Sequence, residues 1–150
     1  MTGRRHGYNP AVSESFRTFD HTGDLGLIVA AETSERLHAL AAEALLAQVA
    51  EAAAGPPDVR AELTLEGDDP RDLFVHWLNT VLLEADLRRA VWTRVTVTEL
   101  SSTRLVATLE GQRLDPGRHT LLREIKAVSH HHLELELAPP ACRCRVVLDL

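Results

Sequence analysis

The sequence predicts an α+β fold: two main helices packed on a mostly antiparallel β-sheet, in a single domain. Three observations carry this. Two stretches, 35–51 and 70–85, repeat apolar residues at helical spacing. The last third of the chain alternates apolar and polar residues with no helix between the strands, and consecutive strands favour antiparallel pairing. The whole chain is 150 residues, with 45% apolar and 25% charged residues, enough for one core and no more than one ordinary domain.

The elements follow in order. Residues 1–14, MTGRRHGYNPAVSE, are polar and aperiodic and carry Gly, Pro and Ser. They predict a disordered leader, with the domain running from 15 to 150. FRTFD (16–20) and LGLIVAAE (25–32) read as strands, with HTG the bend between them. Thr33 can cap a helix in which Leu37, Leu40, Ala41, Ala44 and Leu45 recur, and GPPD stops it. RAELTLEG (60–67) sets Ala61, Leu63 and Leu65 on one face and Glu62, Thr64 and Glu66 on the other, a half-buried strand.

The second helix has Asp69 as cap, Pro70 at its first position and Asp72 in the positive first turn. Phe74, Trp77, Leu78, Val81, Leu82 and Ala85 then form a wide apolar stripe that belongs in the core. VWTRVTVTEL and STRLVATLEG make a hairpin turning near Leu100–Thr103, and LDPGRHT is a loop. REIKAVSHH (123–131) and HLELELA (132–138) read as two separate strands. The second points Leu133, Leu135 and Leu137 inward, and CRVVLDL (144–150) is the last strand.

The formal net charge of −6 argues against a protein that grips nucleic acid alone, because phosphate neutralisation needs a clustered basic surface. It suits a divalent cation or a basic partner. Cys142 and Cys144 are two apart, so a strand points both to one face. A bridge between them would be strained, and two thiols cannot complete a zinc site. They read as free thiols of a reducing compartment. With no apolar signal core and no membrane-length run, the expected location is cytoplasmic.

Phosphate loops, nucleophile elbows, zincin helices and zinc ribbons are missing from the sequence. His130, His131 and His132 alternate faces on a regular strand, cannot all reach one ion, and read as a strand end or turn. The acids of FDHTGDLGL (19–27) are better candidates. Asp20 and Asp24 flank a short bend, so their carboxylates can converge on a hard cation. Asp149, with the carboxylate of Leu150 if the chain stops there, adds negative charge that a cation or Lys126 would offset. Solvated turn acids are the competing reading.

FDHTGDLGL, LEGDDPRDLFVHWLNTVLL, LEGQRLDPGRHTLLREIKAVSHHHLELE and the ending VVLDL, in that order, resemble the archease family from about Phe16 to Leu150. The resemblance implies helices on a β-sheet. It implies a non-enzymatic accessory protein of the RtcB-type RNA ligase, which uses GTP and a divalent metal to join RNA ends in tRNA splicing and RNA repair. Such a protein promotes guanylylation and turnover of the ligase and meets RNA only indirectly. The metal, Ca²⁺ with Mg²⁺ or Mn²⁺ as alternatives, would be held by Asp24, Asp149 and Leu150, with Asp20 as a secondary ligand. Lys126, His131 and His119 match motif positions that would contact the partner or nucleotide.

The chain departs from the family pattern at Gly23, where alanine is usual, at SHHHL in place of TYHGL, at ACRCR and in the leader. None of these removes a proposed ligand. The alternative from another class is a small metal-dependent hydrolase or nuclease using the same acids, and a third is a plain binding module with the acids as a docking surface.

Overall fold

The computed structural model describes residues 14–150. The predicted leader lies outside the described residues except for Glu14, whose carboxylate accepts from Arg36 Nε at 2.8 Å. The elements are β1 Ser15–His21, β2 Asp24–Ala31, α1 Ser34–Ala47, β3 Ala50–Glu51, β4 Val59–Glu66, α2 Pro70–Arg88, β5 Ala90–Leu100, β6 Arg104–Arg113, β7 Thr120–Leu121, β8 Ala127–Glu136 and β9 Cys142–Asp149. The α+β class and the two helices are as the sequence predicts.

The sheet is divided. One sheet has four strands in the order β1-β2-β9-β8, a second has three in the order β4-β6-β5, and β3 pairs with β7 alone. Every pairing is antiparallel. The helices lie between the two larger sheets: α1 touches β2 and β5, and α2 touches β8 on one side and β4, β5 and β6 on the other. Nine of the 14 residues of α1 are buried, four of them alanines. Small side chains let both sheets approach this helix closely, which a single apolar stripe could not do. The alternation in the strands supplies the rest of the core. Leu27, Val29 and Ala31 of β2 and Val146 and Leu148 of β9 face inward, and so do Leu105, Ala107 and Leu109 of β6.

Both helix starts follow their sequence signals. Thr33 Oγ1 accepts the Arg36 N–H at 3.0 Å, and Asp69 Oδ1 accepts the Asp72 N–H at 2.8 Å with Pro70 at the first position. The first helix ends at Ala47, earlier than its periodicity suggests, because Ala50 and Glu51 pair with Leu121 and Thr120. At the far end of α2, Arg89 takes the left-handed conformation, φ 50°.

One expectation needs correction. REIKAVSHH and HLELELA are not two strands but one, β8. Its register against β9 jumps from Ser129↔Val147 to Glu134↔Arg145. Five steps along β8 oppose two along β9, so three extra residues bulge out, and His132 takes φ 62° to allow it. A run of exposed imidazoles gains nothing from facing the core, whereas Leu133 beyond it is buried.

Candidate metal and partner site

The site begins at a tight hairpin. His21 pairs with Asp24, leaving Thr22 and Gly23 as a two-residue turn with φ 43° and 86°. Both values are positive, the pattern of the type I′ turn whose twist suits antiparallel strands. Glycine takes such a φ freely; a β-branched threonine does so only under strain.

Pairing then builds a row across the four-stranded sheet. His21 faces Asp24. Leu25 faces Leu148, so one further step of that register sets Asp24 beside Asp149. Asp149 in turn faces Ala127, and its carbonyl accepts the Lys126 N–H at 2.8 Å. Residues directly opposite one another share a face, with Cα atoms about 4.5–5.5 Å apart. The core residues Leu25, Leu27, Leu148 and Val146 occupy the alternate positions, so Asp24 and Asp149 project together from the outer face.

That face is built around a glycine. Phe19 pairs with Gly26, and its ring lies where a side chain at Gly26 would stand. The Arg145 guanidinium sits 4.4 Å from the centroid of the same ring, a cation–π contact. His21 stands edge-on to Phe19 at 6.5 Å between centroids, and the bulge brings the His132 ring to 5.0 Å from His21. His131 touches His132 at 3.8 Å. Desolvation, then the neighbouring His131, His21 and Arg145, lowers the His132 pKa and favours its neutral form. His21 Nδ1 is buried and has no hydrogen-bond partner.

The sequence-predicted residues divide on these grounds. Asp24 and Asp149 come together, with Leu150 next in the chain and exposed, and Lys126 joins them through its backbone N–H, which donates to the Asp149 carbonyl. Asp20 faces Leu25, so alternation sends it to the other side of the sheet from Asp24, and the expected convergence of these two acids across the bend does not occur. His131 is exposed on the bulge, its N–H donating to Ser129 Oγ at 2.9 Å.

His119 is corrected: it is buried and fully engaged. Its Nδ1 accepts the Asp115 N–H at 3.0 Å and its Nε2 donates to Gln112 Oε1 at 2.9 Å. Gln112 also exchanges two bonds with the Ala53 backbone, at 2.9 and 3.0 Å. No ring nitrogen is left for a partner, so His119 fixes the loop that leads to Lys126. Cys142 and Cys144 do share a face and are free and buried. Burial pushes the Cys144 thiol up to about 12.

Sequence reasoning missed His21, Phe19 and Gly26 as parts of the site. A glycine inside an apolar strand was the available signal, since it marks a close approach.

Among the described residues no three His, Cys, Asp or Glu side chains stand together as a ready-made metal cage. The row offers two carboxylates on one face, with the unpartnered Nδ1 of His21 at its end. Carboxylate oxygens suit Ca²⁺, Mg²⁺ and Mn²⁺. The donors present therefore fit an open cation site whose shell is completed by water or by groups from outside the chain.

A model described as the archease protein family (MTH1598/TM1083) matches residues 16–150. The protein archease of Methanopyrus kandleri is 28% identical over 134 residues, covering 87% of this chain and 96% of that protein. That of Methanosarcina mazei is 26% identical over 145 residues, covering 94% and 99%. Among solved structures, protein 1598 of Methanobacterium thermoautotrophicum superposes with a TM-score of 0.69 at 26% identity, covering 90% of this chain and 98% of that one. A Thermotoga maritima protein described as an archease, possible chaperone, gives a TM-score of 0.63 at 21% identity over 89% and 96%, a likeness of fold.

Proposed function

The chain belongs to the archease family, and from that premise we propose that it activates an RtcB-type, GTP-dependent RNA ligase of tRNA splicing and RNA repair. On this reading it promotes guanylylation and turnover of the ligase in the cytoplasm and does not join RNA itself. No helix among the described residues is long and apolar enough to cross a membrane.

One observation supports this reading above the others. Asp24 and Asp149, from opposite ends of the chain, meet on neighbouring strands and project from one face. Two like carboxylates so placed repel unless something positive joins them. A divalent cation bound there would supply charge stabilisation for phosphate oxygens.

The chain's own residues do the remaining work. Asp24 and Asp149 would hold the cation, with Leu150 beside them. Asp20 faces Leu25 on the other side of the hairpin and would stand outside this pair of carboxylates. Lys126, exposed next to Asp149, offers an ammonium to the partner or nucleotide. His132, 5.0 Å from His21, and His131, beside it at 3.8 Å, extend the row of side chains that the partner would meet. The net charge of −6 suits a partner that must be basic to hold RNA.

The test is guanylylation of the ligase from the same organism, with and without this protein. Wild type is expected to accelerate it and Asp24→Asn or Asp149→Asn is expected not to. Full stimulation by both variants would overturn the reading. RNA cleavage by the protein alone would replace it with the hydrolase alternative.

A further inference from the structure

A cavity of about 260 Å³ lies at the end of the molecule away from Asp24 and Asp149. The strand β2 runs from Asp24 to Ala31, and the chain then enters α1 at Ser34. The opening turns of both helices line the cavity, together with the turn between β5 and β6 and the residue after β8. Leu73, Leu100 and Leu137 make its walls mainly apolar.

One buried polar side chain reaches it. His38 lines the cavity and is only 1% exposed. Its Nδ1 stands 2.7 Å from Ser34 O. A carbonyl only accepts, so Nδ1 carries the proton and Nε2 is a bare acceptor. No described residue bonds Nε2. Nor is Nε2 sealed inside protein, since among the described residues the fully buried side-chain nitrogens without a partner are those of His21 and Trp92. Nε2 therefore meets solvent, and the cavity is where the ring does so. The ring is also held in place. Phe74 meets it edge-on at 4.9 Å, and Trp77 Nε1–H donates to His38 O at 2.9 Å. Burial keeps the imidazole neutral, against the weaker raising effects of the Ser34 carbonyl and Glu35. An acceptor left unmet in such surroundings is costly.

We propose that this cavity binds a small uncharged ring that carries an N–H or O–H donor. The donor meets His38 Nε2, and the body of the ring packs on the three leucines. The site does not depend on the ligase reading. Three features set the ligand class. A molecule that only accepts hydrogen bonds gains nothing from a nitrogen without a proton. Apolar walls favour an apolar body, and a full charge would give up its hydration against them. Glu35 also lines the space, but it is exposed and sits in the positive first turn of α1, which offsets its pull on a cation. Size agrees. An apolar cavity of about 150 Å³ accepts benzene, so this one has room for two fused rings. A water molecule would satisfy Nε2 and leave the leucine walls wet; a ring with a donor does both.

The experiment adds indole, or its isostere indene, which has no N–H, to the full chain with isotope-labelled histidine, followed by nitrogen NMR. Indole is expected to move the His38 Nε2 resonance and to bind about fivefold more tightly than indene, the effect of one net hydrogen bond. His38→Phe keeps a ring without the acceptor and should bind the two equally. Leu137→Trp should fill the cavity and lose both ligands with the melting temperature maintained. Equal binding of indole and indene by the wild type would overturn the proposal, and so would an Nε2 resonance that saturating indole leaves in place. Wild-type affinity in Leu137→Trp would place the ligand elsewhere and overturn it too. Absence of binding at millimolar concentration would leave the cavity to water. Tighter binding of tryptamine than of indole would overturn the uncharged class and give the site to a cation held by Glu35. Should His38→Phe fail to fold, the wild-type comparison and Leu137→Trp still decide.

Discussion

The two ends of the molecule obey local rules to different degrees. At the end where both helices begin, nearly every group is satisfied. Thr33 and Asp69 cap the helices, Glu35 and Asp72 sit in their positive first turns, and Arg36 bridges Glu14 and Glu43. His38, buried there, donates from Nδ1 to Ser34 O at 2.7 Å. At the other end Thr22 is held at φ 43°, His21 Nδ1 has no partner, two carboxylates stand side by side, and leucines face water. Unsatisfied or strained groups that persist in a stable fold concentrate where binding occurs. On the proposed function, the first end is scaffold and the second is the working surface.

The sharpest way to break this contrast is to swap the consequences. Asp24→Asn and Asp149→Asn are each expected to cut stimulation of the ligase more than tenfold with no loss of thermal stability. Asp69→Ala, at the scaffold end, is expected to cost about 1 kcal/mol in denaturant titration and to leave stimulation intact. Equal stimulation by all three would erase the distinction.

The second prediction concerns the glycine under Phe19. Gly26→Leu would push into that ring and is expected to destabilise by about 1–3 kcal/mol, the usual cost of overpacking. Adding Phe19→Ala should recover much of it, because contacting residues couple. Additive losses in the double variant would show that the ring and the glycine are independent.

A smaller effect of opposite sign is expected at the turn. Thr22→Asn suits a type I′ turn and should raise stability by about 0.5–1 kcal/mol by relieving the left-handed threonine. A drop in melting temperature would show that the hydroxyl or methyl group of Thr22 has a packing role.

The last concerns pH. Burial lowers the His38 pKa against the weaker raising effects of the Ser34 carbonyl and Glu35. The unfolded chain therefore binds the proton more readily, and the stability due to neutral His38 is complete above about pH 6.5. It is lost as pH falls from there toward the folded value, at no more than about 1.4 kcal/mol per pH unit. In His38→Gln this part of the slope should vanish. An unchanged slope would assign it to other groups.

What was legible in the sequence was local. Caps, the Pro70 start, the stripe of α2 and the alternation of β4 each involve residues within a few positions, so pattern and element coincide. The pairing of β2 with β9 joins segments from opposite ends of the chain, and no spacing encodes it; Asp149 was associated with Asp24 only through family resemblance. Asp20 was misplaced because a two-residue turn pairs 21 with 24 and therefore 20 with 25, which reverses the face. The histidine run reads in the sequence as a strand end or turn, and it proves to be a three-residue bulge inside one strand, an irregularity that no local pattern announces. His119 stood in a motif, and only its burial and its two ring bonds show that it serves the loop.

The position of β9 bears on how the protein comes to be made. It is a central strand, flanked by β2 and β8, and a ribosome produces it after every other element described. Until then the first hairpin holds Leu27 and Val29 without their neighbour, and the loop to be closed spans most of the chain. The four-stranded sheet is thus completed by its latest arrival, and the two carboxylates meet only at that moment.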